Sequence, residues 1–156
     1  MIQPELLAEL FAVNHRTIRR QTDGLTHEDS LRQLPFRGNC LNWVVGHIVA
    51  TRSRVLMLLG EPPIWDDAEA NRYATGSEPI TNGDDALALD KILHDLDCSQ
   101  ERLMAALMRS TPQALDALHD DETIGHQLAF LHFHEAYHTG QTELLRQLAG
   151  KNDKVI

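Results

Sequence analysis

Aromatic residues are scarce, at 5 % of the 156-residue chain. A core with so few rings has to come from Leu, Ile, Val, Ala and Met, a balance that favours helices over sheets. Cysteine is scarce too: Cys40 and Cys98 are the only two, and they form no CxxC pair. The first ten residues lack a basic start and an apolar run, so no secretory signal is expected and the thiols read as reduced and packed in a cytoplasmic protein. No stretch approaches the roughly 20 apolar residues of a membrane span, which argues against a membrane partner. Clusters of positive charge are also missing, because acids outnumber bases 23 to 14 and the net charge is −9. Gripping phosphates needs grouped Lys and Arg. The one local group, Arg16, Arg19 and Arg20, reads as a solvated helix face, so nucleic acid is not an expected partner. The remaining composition, 42 % hydrophobic and 24 % charged, is that of a globular chain the length of one domain, residues 1–156.

Helical periodicity fills four long segments. The first runs from Pro4 to Thr22, ahead of Asp23-Gly24, with Leu6, Leu10, Val13 and Ile18 as its apolar stripe. Thr26 and Asp29 resemble a capping box that opens a short turn before Pro35. The second segment follows Gly38, with Asn39 as a candidate cap, and reaches Leu59. Its stripe is Leu41, Val44, Ile48, Val55 and Leu58. The third runs from Asp84 to Ser110 on Leu87, Ile92, Leu96, Leu103 and Leu107, and Thr111-Pro112 restarts a short helix to about Leu118. The fourth runs from Thr123 to Ala149. Between the second and third lies Glu61 to Asn82, rich in Pro and without clear periodicity. A loop of this length is unusual in a compact domain. When extended it is long enough to return along the bundle and set helices two and three parallel. The expected fold is all-α, a four-helix bundle with a long crossover between helices two and three.

Nine histidines are the chemical signal. In helix four, His134 and His138 take places on the stripe Ile124, Leu128, Leu131, Leu145 and Leu148, one turn apart on the same side. His47 takes a stripe position in helix two. An unpaired imidazole in an apolar core loses hydration, and a metal ion that takes its lone pair offsets that loss. Three ligands of this kind leave an open position, and an all-imidazole set suits Zn²⁺ or Ni²⁺ better than Mg²⁺ or Ca²⁺. A single histidine on a stripe is more often a hydrogen-bonded core residue. The i,i+4 pair and the third histidine favour metal. His132 points off the stripe. His15, His27, His94, His119 and His126 read as surface or capping groups, with His126 also within range of the site rim.

The run from His134 through Glu135 to His138 also fits HExxH, in which Glu is the general base of zinc proteases. No suitably spaced third ligand follows, since Glu143 and Asp153 are the only later carboxylates. Proteolysis is therefore disfavoured. Glu135 and His138 also form one ExxH element, but di-iron bundles need two. Glu135 reads as a partner of a ligand histidine, or as a residue facing solvent or another helix.

The segment from Asn39 through Trp43 to His47, together with His134-Glu135-Ala136-Tyr137-His138-Thr139-Gly140-Gln141, resembles the DinB/YfiT-like metalloproteins over nearly the whole chain. The resemblance implies a four-helix bundle, often a homodimer, with His47, His134 and His138 as ligands of one divalent ion. It also implies transfer or isomerisation chemistry with a low-molecular-weight thiol and a small-molecule substrate. An open metal position would lower a thiol's pKa, or would activate water for hydrolysis. A metal-binding module without turnover is the rival reading. Trp43 is placed to wall the pocket or fill the core. Arg54 is placed to meet a substrate carboxylate or stand in solvent, and Gln141 to order a ligand or pack helices. Gly140 would permit close approach of another backbone or a ligand, and the 61–82 loop would cover the pocket mouth.

Overall fold

The computed structural model describes residues 2–153. Its elements are α1 (Pro4–Thr22), α2 (His27–Ser30), α3 (Leu41–Leu58), α4 (Asp67–Arg72), α5 (Leu89–Arg109), α6 (Pro112–Leu115), β1 (Leu118–His119), β2 (Glu122–Thr123) and α7 (Ile124–Leu148). The all-α expectation holds. The four long helices pack in the ring order α1–α7–α3–α5.

Their directions follow from the side chains that meet. Asn42 Nδ2 donates to Leu87 O at 2.9 Å beside the start of α5, and Glu61 after α3 pairs with Arg109 at the end of α5. Helices α3 and α5 are therefore parallel, as a crossover requires. Thr142 meets Gln21 while Ile2 lies near Gly125, so α1 and α7 are also parallel. Arg52 reaches Glu135, and the later residue Arg54 shares a cavity with the earlier Phe130 and Leu131, so α3 runs antiparallel to α7.

Several local expectations need correction. In α1 the buried residues are Pro4, Leu7, Ala8, Phe11, Asn14, Ile18, Gln21 and Thr22, whereas Leu6, Leu10 and Val13 are exposed. The polar side chains Asn14 and Gln21 occupy the inner face, which hides it from a count of apolar spacing. Cys40 rather than Asn39 is the N-cap of α3, and its thiol is buried and pushed up in pKa, chiefly by desolvation. Cys98 is only half-buried. Helix α5 starts at Leu89, not Asp84. Tyr73 Oη accepts from Leu87 N at 2.8 Å, and Leu89 N donates to His27 Nδ1 at 3.3 Å, so tertiary partners satisfy the donors of its first residues. The short helix after Pro112 stops at Leu115, and a two-strand hairpin with Asp120 at φ 57° follows it.

The crossover is more ordered than its sequence suggests. Asp66 caps the helix α4 inside it. Trp65, Tyr73 and Ile80 are buried in the same core as Val44, Ile48 and Ile92. Gly46 explains how it comes so close: a Cβ there would overlap the Tyr73 ring, so only glycine at this turn of α3 admits it.

Candidate metal centre

Two helices and the crossover build the site. His47 is buried on α3, and His134 and His138 are half-buried one turn apart on α7. One ring nitrogen from each lies within 4.8 Å of the others. All three ring pairs stand edge to face, with centroids 4.6–5.0 Å apart.

The neighbours fix which nitrogens face inward. His47 Nδ1 donates to the Tyr73 carbonyl at 2.7 Å, and His138 Nδ1 donates to Gln141 Oε1 at 2.8 Å. Both acceptors lack a proton, so each of these neutral rings carries its proton on Nδ1 and presents a bare Nε2. His47 Nε2 and His134 Nε2 are 3.1 Å apart. Two ligands about 2.0–2.1 Å from one tetrahedral ion would stand about 3.3 Å apart. His134 Nδ1 is buried without a hydrogen-bond partner among the described residues. Burial lowers the pKa of all three rings, that of His138 to about 4, which keeps them neutral and their lone pairs available. This donor set is compatible with a divalent ion, held by the three Nε2 atoms and oriented by Tyr73 and Gln141 from behind.

Trp43 stacks on His47 with centroids 4.7 Å apart and planes 11° from parallel, and its Nε1 donates to Ser77 Oγ at 2.9 Å. It therefore walls the site and belongs to the core at once. Two cavities, of about 420 and 450 Å³, flank the histidines and share His47, Thr75 and His134. Thr51, Arg54, Asn71 and Phe130 help line the first, with Arg54 exposed at its edge. Phe36, Arg37, Trp43, Tyr137 and Gln141 help line the second. Ala70, Asn71, Ala74 and Thr75 of the crossover line the first cavity and Thr75 also lines the second, so the crossover borders the pocket.

Glu135 does not face the histidines. Its carboxylate takes two hydrogen bonds from Arg52, at 2.8 and 2.9 Å, and the side chains are 0 % and 2 % exposed. Arg52 donates further to Ser99 Oγ and Leu96 O. A carboxylate clamped this way cannot act as base for a water at the cluster, which removes the HExxH protease reading. Sequence reasoning missed Arg52. The signal was available: Arg52 follows Ile48 and Glu135 follows Leu131 by one turn on buried stripes. Gly140 meets nothing within 4 Å of a built Cβ, so the close approach expected there occurs at Gly46 instead. His126 is exposed and lines neither of the two flanking cavities.

A four-helix arrangement with three imidazoles converging between two cavities defines a class of helical protein with a candidate metal site. The chain belongs to the DinB superfamily, whose sequence profile matches residues 10–142, a span that includes all three histidines. No curated protein matches the chain.

Proposed function

We propose that the protein is a metal-dependent transferase that joins a low-molecular-weight thiol to a small electrophile, with His47, His134 and His138 holding one divalent ion, Zn²⁺ or Ni²⁺. The observation that carries this reading is the placement of the histidine cluster between two separate cavities, which gives each of two reactants its own compartment beside one centre. A bound ion would supply Lewis acidity, lowering the pKa of a thiol at its open position.

The chain's own residues do the rest. Tyr73 O and Gln141 Oε1 hold the His47 and His138 rings in the tautomer that turns Nε2 inward. Trp43, Tyr137 and Leu145 give the second cavity an apolar wall that keeps bulk water from the reacting atoms. Arg54, the one Lys or Arg lining the first cavity among the described residues, offers a planar fork to a reactant's carboxylate. A reducing cytoplasm, the compartment read from the two free cysteines, keeps such a thiol available.

The test is turnover of metal-loaded protein on a matrix of thiols (bacillithiol, mycothiol, glutathione, cysteine) and small electrophiles. Thiol consumption above the rate of His134→Ala supports the reading. Stoichiometric metal with no consumption on any pair would contradict the transferase and leave a binding module.

A further inference from the structure

Neither cavity beside the histidines is lined by an Asp or Glu among the described residues. The chain carries 23 acids and a net charge of −9, and two further cavities show what that composition does elsewhere. Asp23, Asp90 and Asp97 line one of them, and Asp120, Asp121 and Glu122 the other. Each acid-free cavity instead has one arginine, Arg54 in the first and Arg37 in the second. Neither makes an ion pair among the described residues, whereas Arg19, Arg32, Arg52, Arg102, Arg109 and Arg146 all face carboxylates. A carboxylate in such a pocket would repel an anionic ligand. Leaving it out lets a single guanidinium set the sign of the local field against the negative charge of the whole chain.

The walls of the second cavity add a shape to this charge. Phe36, Trp43 and Tyr137 all line it, in a chain where aromatics are only 5 %. Phe36 is 69 % and Tyr137 60 % exposed, so both rings stand at its mouth without packing that explains them. Its volume of about 450 Å³ is that of a small-ligand pocket. Flat rings pair with flat rings by offset stacking or edge-to-face contact, which a saturated chain cannot match. We infer that the second cavity is the binding site of a flat, ring-containing carboxylate, with its ring among Phe36, Trp43 and Tyr137 and its acid group on Arg37. One guanidinium fork matches the two oxygens and single charge of a carboxylate, whereas the second charge of a phosphate would find no cation here. As the identity of the electrophile this rests on the transfer proposed above; as a binding site it needs neither ion nor thiol. The first cavity, with Arg54 beside Thr51 and Asn71, is then left to the thiol.

Calorimetric titration of the full chain, chelated and free of thiol, tests it with naphthoate, its neutral counterpart naphthylmethanol, and acetate. Naphthoate is expected to bind, the alcohol roughly fivefold more weakly, as suits one exposed charge pair, and acetate not at all at the same concentrations. Arg37→Gln should bring naphthoate down to the level of the alcohol and leave the alcohol unchanged. Arg16→Gln makes the same change of charge on the exposed side of α1 and should alter neither. Tyr137→Ala should weaken both naphthyl compounds several-fold with helical circular dichroism unchanged, because that ring is already exposed. The ring current of bound naphthoate should move the Trp43 indole N–H signal in a nitrogen–proton correlation spectrum and leave that of Trp65, which lines neither cavity. No naphthoate binding, an alcohol that binds as tightly as the acid, or an Arg37→Gln effect no larger than that of Arg16→Gln overturns the inference. Naphthoate binding with this pattern but no turnover on any thiol and electrophile contradicts the transferase alone, and turnover without naphthoate binding contradicts this site alone.

Discussion

Arg52 and Glu135 show what a buried charge demands. Together they satisfy one another with two parallel hydrogen bonds, and Arg52 Nη1 donates to Ser99 Oγ and Leu96 O. Removing one partner strands the other without water. Arg52→Ala is expected to cost about 3–5 kcal/mol in urea unfolding, and Arg52→Met with Glu135→Met to recover much of that loss. A single variant as stable as wild type would contradict the burial described. Gln141→Leu removes the acceptor that fixes the His138 ring, and metal affinity is expected to fall about 10–100-fold by competition titration. Unchanged affinity would show that the ring needs no such anchor. The imidazoles also set a pH dependence. His15, His47, His134 and His138 all have folded pKa values below 6.5, chiefly through desolvation. The unfolded chain therefore binds more protons, and the metal-free protein is most stable above pH 6.5 and loses stability as pH falls towards about 4. Urea midpoints of chelated protein at both ends of that range measure it, and a flat profile would contradict it.

The helix is the unit at which the site was legible in the sequence. In α7 the stripe positions Leu128, Leu131 and Leu145 mark the inner face, so the histidines on that stripe are visibly out of place, whereas α3 is buried all round from Leu41 to Val49 and its stripe singles out His47 less sharply. In α1 the inner face carries Asn14 and Gln21, and spacing alone selected the exposed Leu6, Leu10 and Val13 beside the buried Ile18. The crossover was the hardest to read. Its order comes from Trp65, Tyr73 and Ile80 packing on distant helices, and from bonds such as Trp65 Nε1 to Asp95 Oδ2 at 2.7 Å. None of these is a local property of the segment. The same dependence makes a prediction for α3. Gly46→Ala puts a methyl group into the Tyr73 ring, and displacing that ring withdraws the carbonyl that orients His47. The substitution is expected to cost about 1–3 kcal/mol through overpacking and to weaken metal binding as well. Calorimetry with and without ion separates the two effects. A variant with wild-type stability would mean that the crossover can shift freely.

For the whole molecule, a parallel α3–α5 pair is what lets one chain surround three imidazoles. The crossover returns along the bundle, presses Tyr73 on Gly46 and closes the third side of a site whose other walls are α3 and α7. The three imidazoles converge on one candidate centre among the described residues. The most direct test is the metal content of untagged protein by elemental analysis, beside His138→Ala. The account predicts close to one Zn²⁺ or Ni²⁺ per wild-type chain, and its loss in the variant. Wild-type protein that carries no metal, and takes up neither ion when each is offered, would contradict it.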